Sequence, residues 1–64
     1  MNANSAIEYL DRGNDCYKQN KIADAAGWFR KAANADPGLF SAHANLGNTL
    51  LQLNRYEEAI EAYC

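Results

Sequence analysis

Displaced along itself by 34 positions, the chain brings Gly13 onto Gly47, Asn14 onto Asn48, Asn20 onto Asn54, Ala25 onto Ala59 and Phe29 onto Tyr63. Glycine, small, aromatic and helix-ending residues recur in one register, so the repeating unit is a piece of structure rather than a stretch of biased composition. A unit of this period cannot bury its apolar face alone; copies stack and leave an extended surface for partners. The register therefore turns the functional question from catalysis to binding.

Length and charge limit what that unit can become. With 64 residues, the chain buries only about 60% of the surface its unfolded form exposes, which allows one small domain and leaves an isolated fold marginal. Six basic and eight acidic residues give a formal charge of −2. The longest basic cluster is Arg30-Lys31, too little to neutralise a phosphate backbone, so no nucleic-acid partner is expected. The leader Met1-Asn2-Ala3-Asn4-Ser5 has no cationic flank and no apolar core, and no segment approaches the roughly 18 apolar residues of a membrane span. No membrane association is expected. Cys16 and Cys64 form no C-x-x-C pair, so neither a disulfide framework nor a metal site is expected, and a reducing, cytoplasmic setting is preferred. No cofactor is implied.

Helix signals alternate with short breaks, and strand signals are missing, which predicts an all-α chain. Ser5 and Glu8 have capping-box spacing and predict a first helix over about 6–19. Ile7, Leu10, Gly13, Asn14 and Tyr17 follow its three-and-four spacing, and Asn20 closes it in the left-handed conformation that Asn adopts at modest cost. A second helix spans about 22–35, with Ala25, Ala26, Phe29, Ala32 and Ala33 on one side. Asp36-Pro37-Gly38 stops it, because proline disfavours helical geometry in the residue before it and glycine permits a sharp reversal. A third helix over about 40–53 carries Leu46, Leu50 and Leu53, and Asn54 ends it as Asn20 ended the first. A fourth runs from about 56 to 64, with Glu57 and Glu58 near its positive end.

Gly13 and Gly47 sit inside helical patterns, where glycine costs about 1 kcal/mol relative to alanine. Each marks a place where a neighbouring helix comes too close for a side chain. Ala25 and Ala59 hold the complementary places on the second helix of each pair, while the rings of Phe29 and Tyr63 fill the space between helices. Small and large surfaces interlock as antiparallel hairpins.

At these positions the chain resembles the tetratricopeptide repeat, a 34-residue helix-turn-helix unit with the pattern W-x2-L-G-x2-Y, A-x3-F, then P. The first copy, residues 6–39, reads Tyr9-x2-Arg12-Gly13-x2-Cys16, Ala25-x3-Phe29, Pro37. The second, residues 40–64, reads His43-x2-Leu46-Gly47-x2-Leu50, Ala59-x3-Tyr63, and stops before its proline. Arg12, Cys16, His43 and Leu50 depart from the pattern; Arg12 is consistent with an exposed first helix. The resemblance implies antiparallel hairpins stacked as a right-handed solenoid of about one and three-quarter repeats. It also implies a non-catalytic interaction module that binds a peptide or protein on the concave face lined by the first helix of each pair.

Carried over by repeat position, that groove would be lined by Ile7, Leu10, Asp11, Asn14, Tyr17 and Lys18 from the first copy, and by Ser41, Ala44, Asn45, Asn48, Leu51 and Gln52 from the second. Side-chain amides at such places can hydrogen-bond an extended peptide backbone. Asn14 and Asn45 match the asparagines of the subfamily that clamps a C-terminal carboxylate, but Leu10 stands where its first lysine would. Solvation of an exposed helix face is the plainer reading of both.

Other groups have structural readings that outweigh chemical ones. His43 lacks the convergent ligands of a metal site and the oriented partner of an acid-base pair, and reads as a semi-buried ring between helices. Cys16 occupies an interior packing place and reads as a small apolar side chain, whereas Cys64 is a terminal thiol open to intermolecular oxidation. Trp28, Phe29, Tyr56 and Tyr63 read as core and repeat-contact residues rather than a base-stacking platform.

The incomplete second copy predicts that the flank of Leu46, Leu50, Leu53, Tyr56, Ala59, Ile60 and Tyr63 is partly uncovered. A fragment of a longer array or self-association of the chain would cover it. Two other functional classes stay open: a recruiting or regulatory segment of a larger multidomain enzyme, and the related pentatricopeptide RNA-binding class. The 35-residue period of the latter and the acidic balance here disfavour it.

Overall fold

A computed structural model describes residues 3–63, and the side chains of residues 5–62. Four α-helices follow one another: α1 (Ala3–Lys18), α2 (Ile22–Ala35), α3 (Phe40–Gln52) and α4 (Tyr56–Tyr63). Each packs substantially only on its neighbours in sequence, α1 on α2, α2 on α3 and α3 on α4. The Cα trace measures 31 × 27 × 13 Å, the flat shape of helices laid side by side in a repeating array. The expected fold class, an all-α helical repeat, is the one observed.

The helix boundaries agree with the periodic pattern except at the amino end. Helix α1 starts at Ala3, so Ser5 and Glu8 lie within it and do not mark its start. Ala3 and Asn4 contain no stop signal, and once a helix is nucleated each added residue gains a backbone bond, so it propagates backwards past the capping pair. The expectations for the Tyr63 ring and for Cys64 fall outside the described residues.

Both asparagine endings take the expected left-handed form, with φ 63° at Asn20 and 62° at Asn54. The bonds around them are the same. Lys21 N donates to Cys16 O at 2.8 Å and Asn20 N to Tyr17 O at 3.0 Å; Arg55 N donates to Leu50 O at 2.8 Å and Asn54 N to Leu51 O at 3.0 Å. Each is a Schellman ending, in which the carbonyls orphaned by the end of the helix are satisfied by the two residues that follow.

Between α2 and α3 the reversal depends on Asp36. Its backbone is extended, at φ −141° and ψ 92°, as proline requires of the residue before it. Its carboxylate accepts from Gly38 N at 3.1 Å and its carbonyl from Leu39 N at 2.9 Å. No glycine among the described residues has a positive φ, so the turn does not use the conformational freedom expected of Gly38. The side chain of Asp36 organises it instead.

The core has two parts. Ala25, Ala26, Phe29, Leu46, Leu50 and Ala59 form one, with Leu10, Cys16, Leu53 and Ala62 packed against it. Ala32, Ala33 and Ala42 form the other, with Tyr9, Leu10 and Leu39 around them. Thr49 is fully buried, and its hydroxyl donates to Leu46 O at 2.8 Å, which removes the cost of an unpaired polar group in the core.

Gly13 explains the spacing of α1 and α2. A Cβ built there would lie 2.5 Å from Phe29 Cε1 and 2.6 Å from Cδ1, far inside van der Waals contact. The ring of Phe29, only 1% exposed, occupies the space that a side chain at position 13 would need.

The flank that the sequence marked as partly uncovered is unevenly exposed. Leu46, Leu50 and Ala59 are buried, whereas Tyr56 is 57% and Ile60 63% exposed. Tyr56, expected in the core, faces outward and donates its hydroxyl to Asn54 Oδ1 at 2.8 Å. Helix α4 packs chiefly on α3 and meets α2 through Arg30–Glu58, which leaves Tyr56 and Ile60 exposed.

Candidate functional site: the face shared by α1 and α3

The odd-numbered helices α1 and α3 flank α2, and their side chains meet beside it. Asn14 and Tyr17 from α1, Asn45 and Asn48 from α3, and the ring of Phe29 from α2 line one cavity of about 140 Å³. The 34-residue register places Asn14 and Asn48 in equivalent positions on the two helices. The right-handed helical turn then puts Tyr17 one turn beyond Asn14, and Asn45 one turn before Asn48, on the same side.

Two side-chain contacts bridge the helices across this cavity. Asn45 Nδ2 donates to Asn14 Oδ1 at 3.5 Å, at the long limit of a hydrogen bond. Gln52 Nε2 donates to the Tyr17 hydroxyl. The lining therefore offers amide donors and acceptors and one phenol, with the buried Phe29 ring behind them, and none of its five residues is charged.

Of the groove residues anticipated from sequence, Asn14, Tyr17, Asn45 and Asn48 are brought together here, and Gln52 joins them through Tyr17. Leu10 is directed elsewhere: it packs against both core clusters. Asp11 and Lys18 lie exposed on α1 outside the cavity lining. Phe29 was legible as a packing residue but not as the floor of this cavity. Only the contact geometry shows that the buried ring, packed against Gly13, reaches the edge of this hollow.

A second hollow of about 230 Å³ contains Arg30, Asn34, His43, Glu58 and Glu61, a set whose charges invite a chemical reading. The partners argue for structure. The His43 ring donates from Nε2 to Pro37 O at 2.9 Å, which ties α3 to the preceding turn. Glu58 accepts from Arg55 Nη2 at 2.7 Å and from Arg30 Nη2 at 3.4 Å, joining α4 to α2. These are half-exposed surface pairs of small energetic weight. Among the described residues no three His, Cys, Asp or Glu side chains cluster as metal ligands would.

One arrangement was missed by the sequence reading. Trp28 stacks on Tyr9 with ring centroids 6.0 Å apart, and Arg12 and Lys31 lie 5.4 Å and 4.8 Å from the Trp28 ring centre. Arg12, a departure from the repeat pattern, thus has a role: its guanidinium and stem cover an aromatic pair at the α1–α2 junction. The i, i+3 spacings Tyr9–Arg12 and Trp28–Lys31 carry this signal, but pairing them requires knowing that the two helix faces meet.

Residues 40–63, which comprise α3 and α4, match the family described as tetratricopeptide repeat. That hairpin is similar to a tetratricopeptide repeat. Helices α1 and α2 lie outside the match, and share with it the 34-residue register and the Schellman form of the α1 and α3 endings. Tetratricopeptide repeats are generally non-catalytic and typically bind proteins or peptides, so the match suggests an interaction module. No curated protein and no solved structure matches the chain. No helix among the described residues is long and apolar enough to cross a membrane.

Proposed function

We propose that the face shared by α1 and α3 is the concave surface of a non-catalytic module and holds an extended peptide or protein segment. The observation that carries this reading is the convergence of Asn14, Tyr17, Asn45 and Asn48 on one cavity. Amide side chains can both donate to and accept from a peptide backbone, giving grip without demanding particular side chains. We take residues 6–39 as the first repeat and 40–64 as the second, each giving its first helix to the groove. Asp11, Lys18 and Gln52 extend the surface beyond the cavity, while Leu10 supports it from beneath. A cytoplasmic setting is in keeping with Cys16 as a free thiol, and the charge of −2 disfavours nucleic acid as the ligand.

Capture of a protein partner by immobilised chain tests this. Asn14→Ala and Asn45→Ala should each weaken binding about fivefold, the loss of one net hydrogen bond of about 1 kcal/mol. Asn34→Ala, on the exposed side of α2, serves as the control. Equal capture by the Asn14→Ala, Asn45→Ala double variant would remove the groove from the account.

The exposed Tyr56–Ile60 side of α4 gives a second surface, on which we propose self-association of the chain. Light scattering on chromatographed protein should show dimers or larger species. Ile60→Lys should shift the mass toward one chain; a monomer that unfolds cooperatively at low concentration would contradict self-association.

A further inference from the structure

We infer that the chain associates head to tail: the exposed acidic side of α4 in one copy docks on the aromatic and basic patch at the α1–α2 junction of the next. This rests on the self-association read from α4 above, and adds the surface that receives α4 and the charge pairing that orients it.

The receiving patch is cationic and has no anion of its own. Tyr9 and Trp28 stack there with ring centroids 6.0 Å apart, both half-buried, and the exposed Arg12 and Lys31 lie 5.4 Å and 4.8 Å from the Trp28 ring centre. Each cation gains from the aromatic face, but the two gather like charge at one place. Among the described residues the ion pairs are Arg30–Glu58 and Arg55–Glu58, so neither Arg12 nor Lys31 has a carboxylate partner. Asp24 lines the shallow hollow beside Trp28 and Lys31 without pairing with either cation.

Helix α4 presents the complement. It carries Glu57, Glu58 and Glu61 and no basic residue, and of the three only Glu58 is held in an ion pair among the described residues. Glu57 and Glu61 are exposed and stand one turn apart, about 5–6 Å between Cβ atoms. The exposed Tyr56 and Ile60 form a parallel ridge beside them. An apolar ridge next to an acidic one thus faces an aromatic pair next to two cations. Exposed charge pairs are individually weak, so the rings and Ile60 supply the hold while the charges select which surfaces meet.

The patch cannot be reached by its own α4. Arg30 contacts Glu58 on that helix, and Trp28, two residues earlier, lies about 200° away round α2 at ~100° per residue. Only a second copy can bring an acidic helix to Trp28. The contact joins two different surfaces and is therefore heterologous, which leaves one patch and one α4 of each pair open to further copies.

Sedimentation of the 64-residue chain, read together with the emission of Trp28, its single tryptophan, provides the test. Raising the concentration should raise the mass and move Trp28 emission to shorter wavelength as the ring leaves water. Association should weaken about tenfold between ~50 and ~500 mM salt. Arg12→Glu with Lys31→Glu in one variant, and Glu57→Lys with Glu61→Lys in another, should each keep the helical circular dichroism and sediment as single chains. Mixed in equal amounts the two variants should associate again, since every patch then meets an α4 of opposite charge. If the Arg12→Glu, Lys31→Glu variant loses its helical signal, Lys31→Glu alone, exposed on α2, takes its place.

Association that leaves Trp28 emission unchanged, or that persists undiminished in the patch variant, would overturn the head-to-tail contact while leaving self-association through α4 intact. Failure of the mixed variants to associate would overturn the charge pairing. A single chain at every concentration and salt would overturn both readings.

Discussion

Phe29→Ala is expected to leave the chain without a cooperative unfolding transition. The ring is 1% exposed and belongs to the cluster that joins α2 to α3 and α4, with Leu10 and Cys16 of α1 packed against it. Removing a buried phenylalanine ring costs about 3–5 kcal/mol in lost transfer energy and cavity formation. Whole domains are stable by only about 5–15 kcal/mol, and a chain this short lies near the lower end. Urea titration followed by helical circular dichroism should show a broad, shallow loss of signal in place of a sigmoid. Phe29→Leu, which keeps most of the volume, should unfold cooperatively with a loss of about 1.5 kcal/mol or less. A Phe29→Ala midpoint equal to that of the unaltered chain would mean that the core is not organised around this ring.

Gly13→Ala is expected to destabilise, against the sign that helix propensity alone would give. Alanine is favoured over glycine inside a helix by about 1 kcal/mol, yet the new methyl would lie 2.5 Å from Phe29 Cε1. That ring is enclosed by core residues and has nowhere inexpensive to move, so overpacking of about 1–3 kcal/mol exceeds the propensity gain. Gly27→Ala supplies the contrast. It lies inside α2 with nothing within 4 Å of a built Cβ, so the propensity term acts unopposed and stability should rise by up to about 1 kcal/mol. Combining Gly13→Ala with Phe29→Leu should cost less than the sum of the two changes, because the smaller side chain at 29 makes room for the methyl at 13. Denaturation midpoints of the two single variants, the double variant and the unaltered chain measure this coupling. Strict additivity would show that the two sites do not share the space assigned to them.

Glycine illustrates how far residue type alone can be read. Gly13, Gly27 and Gly38 look alike in sequence, since each interrupts or ends a helical pattern. Gly13 is required by a close approach, Gly27 meets open space, and Gly38 stands in a turn held by Asp36. The 34-residue register singled out Gly13, where the close approach to Phe29 is observed. For Gly27 and Gly38 no register partner was available, and only the surroundings separate them.

The candidate site divides in the same way. Asn14, Asn45 and Asn48 could be found from helical phase and repeat position, because those two quantities decide which residues share a face. That the buried Phe29 ring reaches the cavity edge, that Gln52 reaches the Tyr17 hydroxyl, and that Leu10 packs on the core are results of how closely α1 and α3 approach across α2. Tyr56 shows the limit most plainly: an aromatic residue at the start of an amphipathic helix suggests burial, but α4 has α3 on one side only, and the ring is left outside.

By itself the sequence determined four helices, their Asn20 and Asn54 endings, and the repeating hairpin. These follow from local backbone preference and from apolar periodicity, both of which act within a few residues. Tertiary structure alone decided the depth of the α1–α3 cavity, the uncharged character of its lining, the aromatic stack that engages Arg12, and the exposure of Tyr56 and Ile60. Each of these depends on interhelical distance and on which side chains fill it, quantities set by packing between residues tens of positions apart.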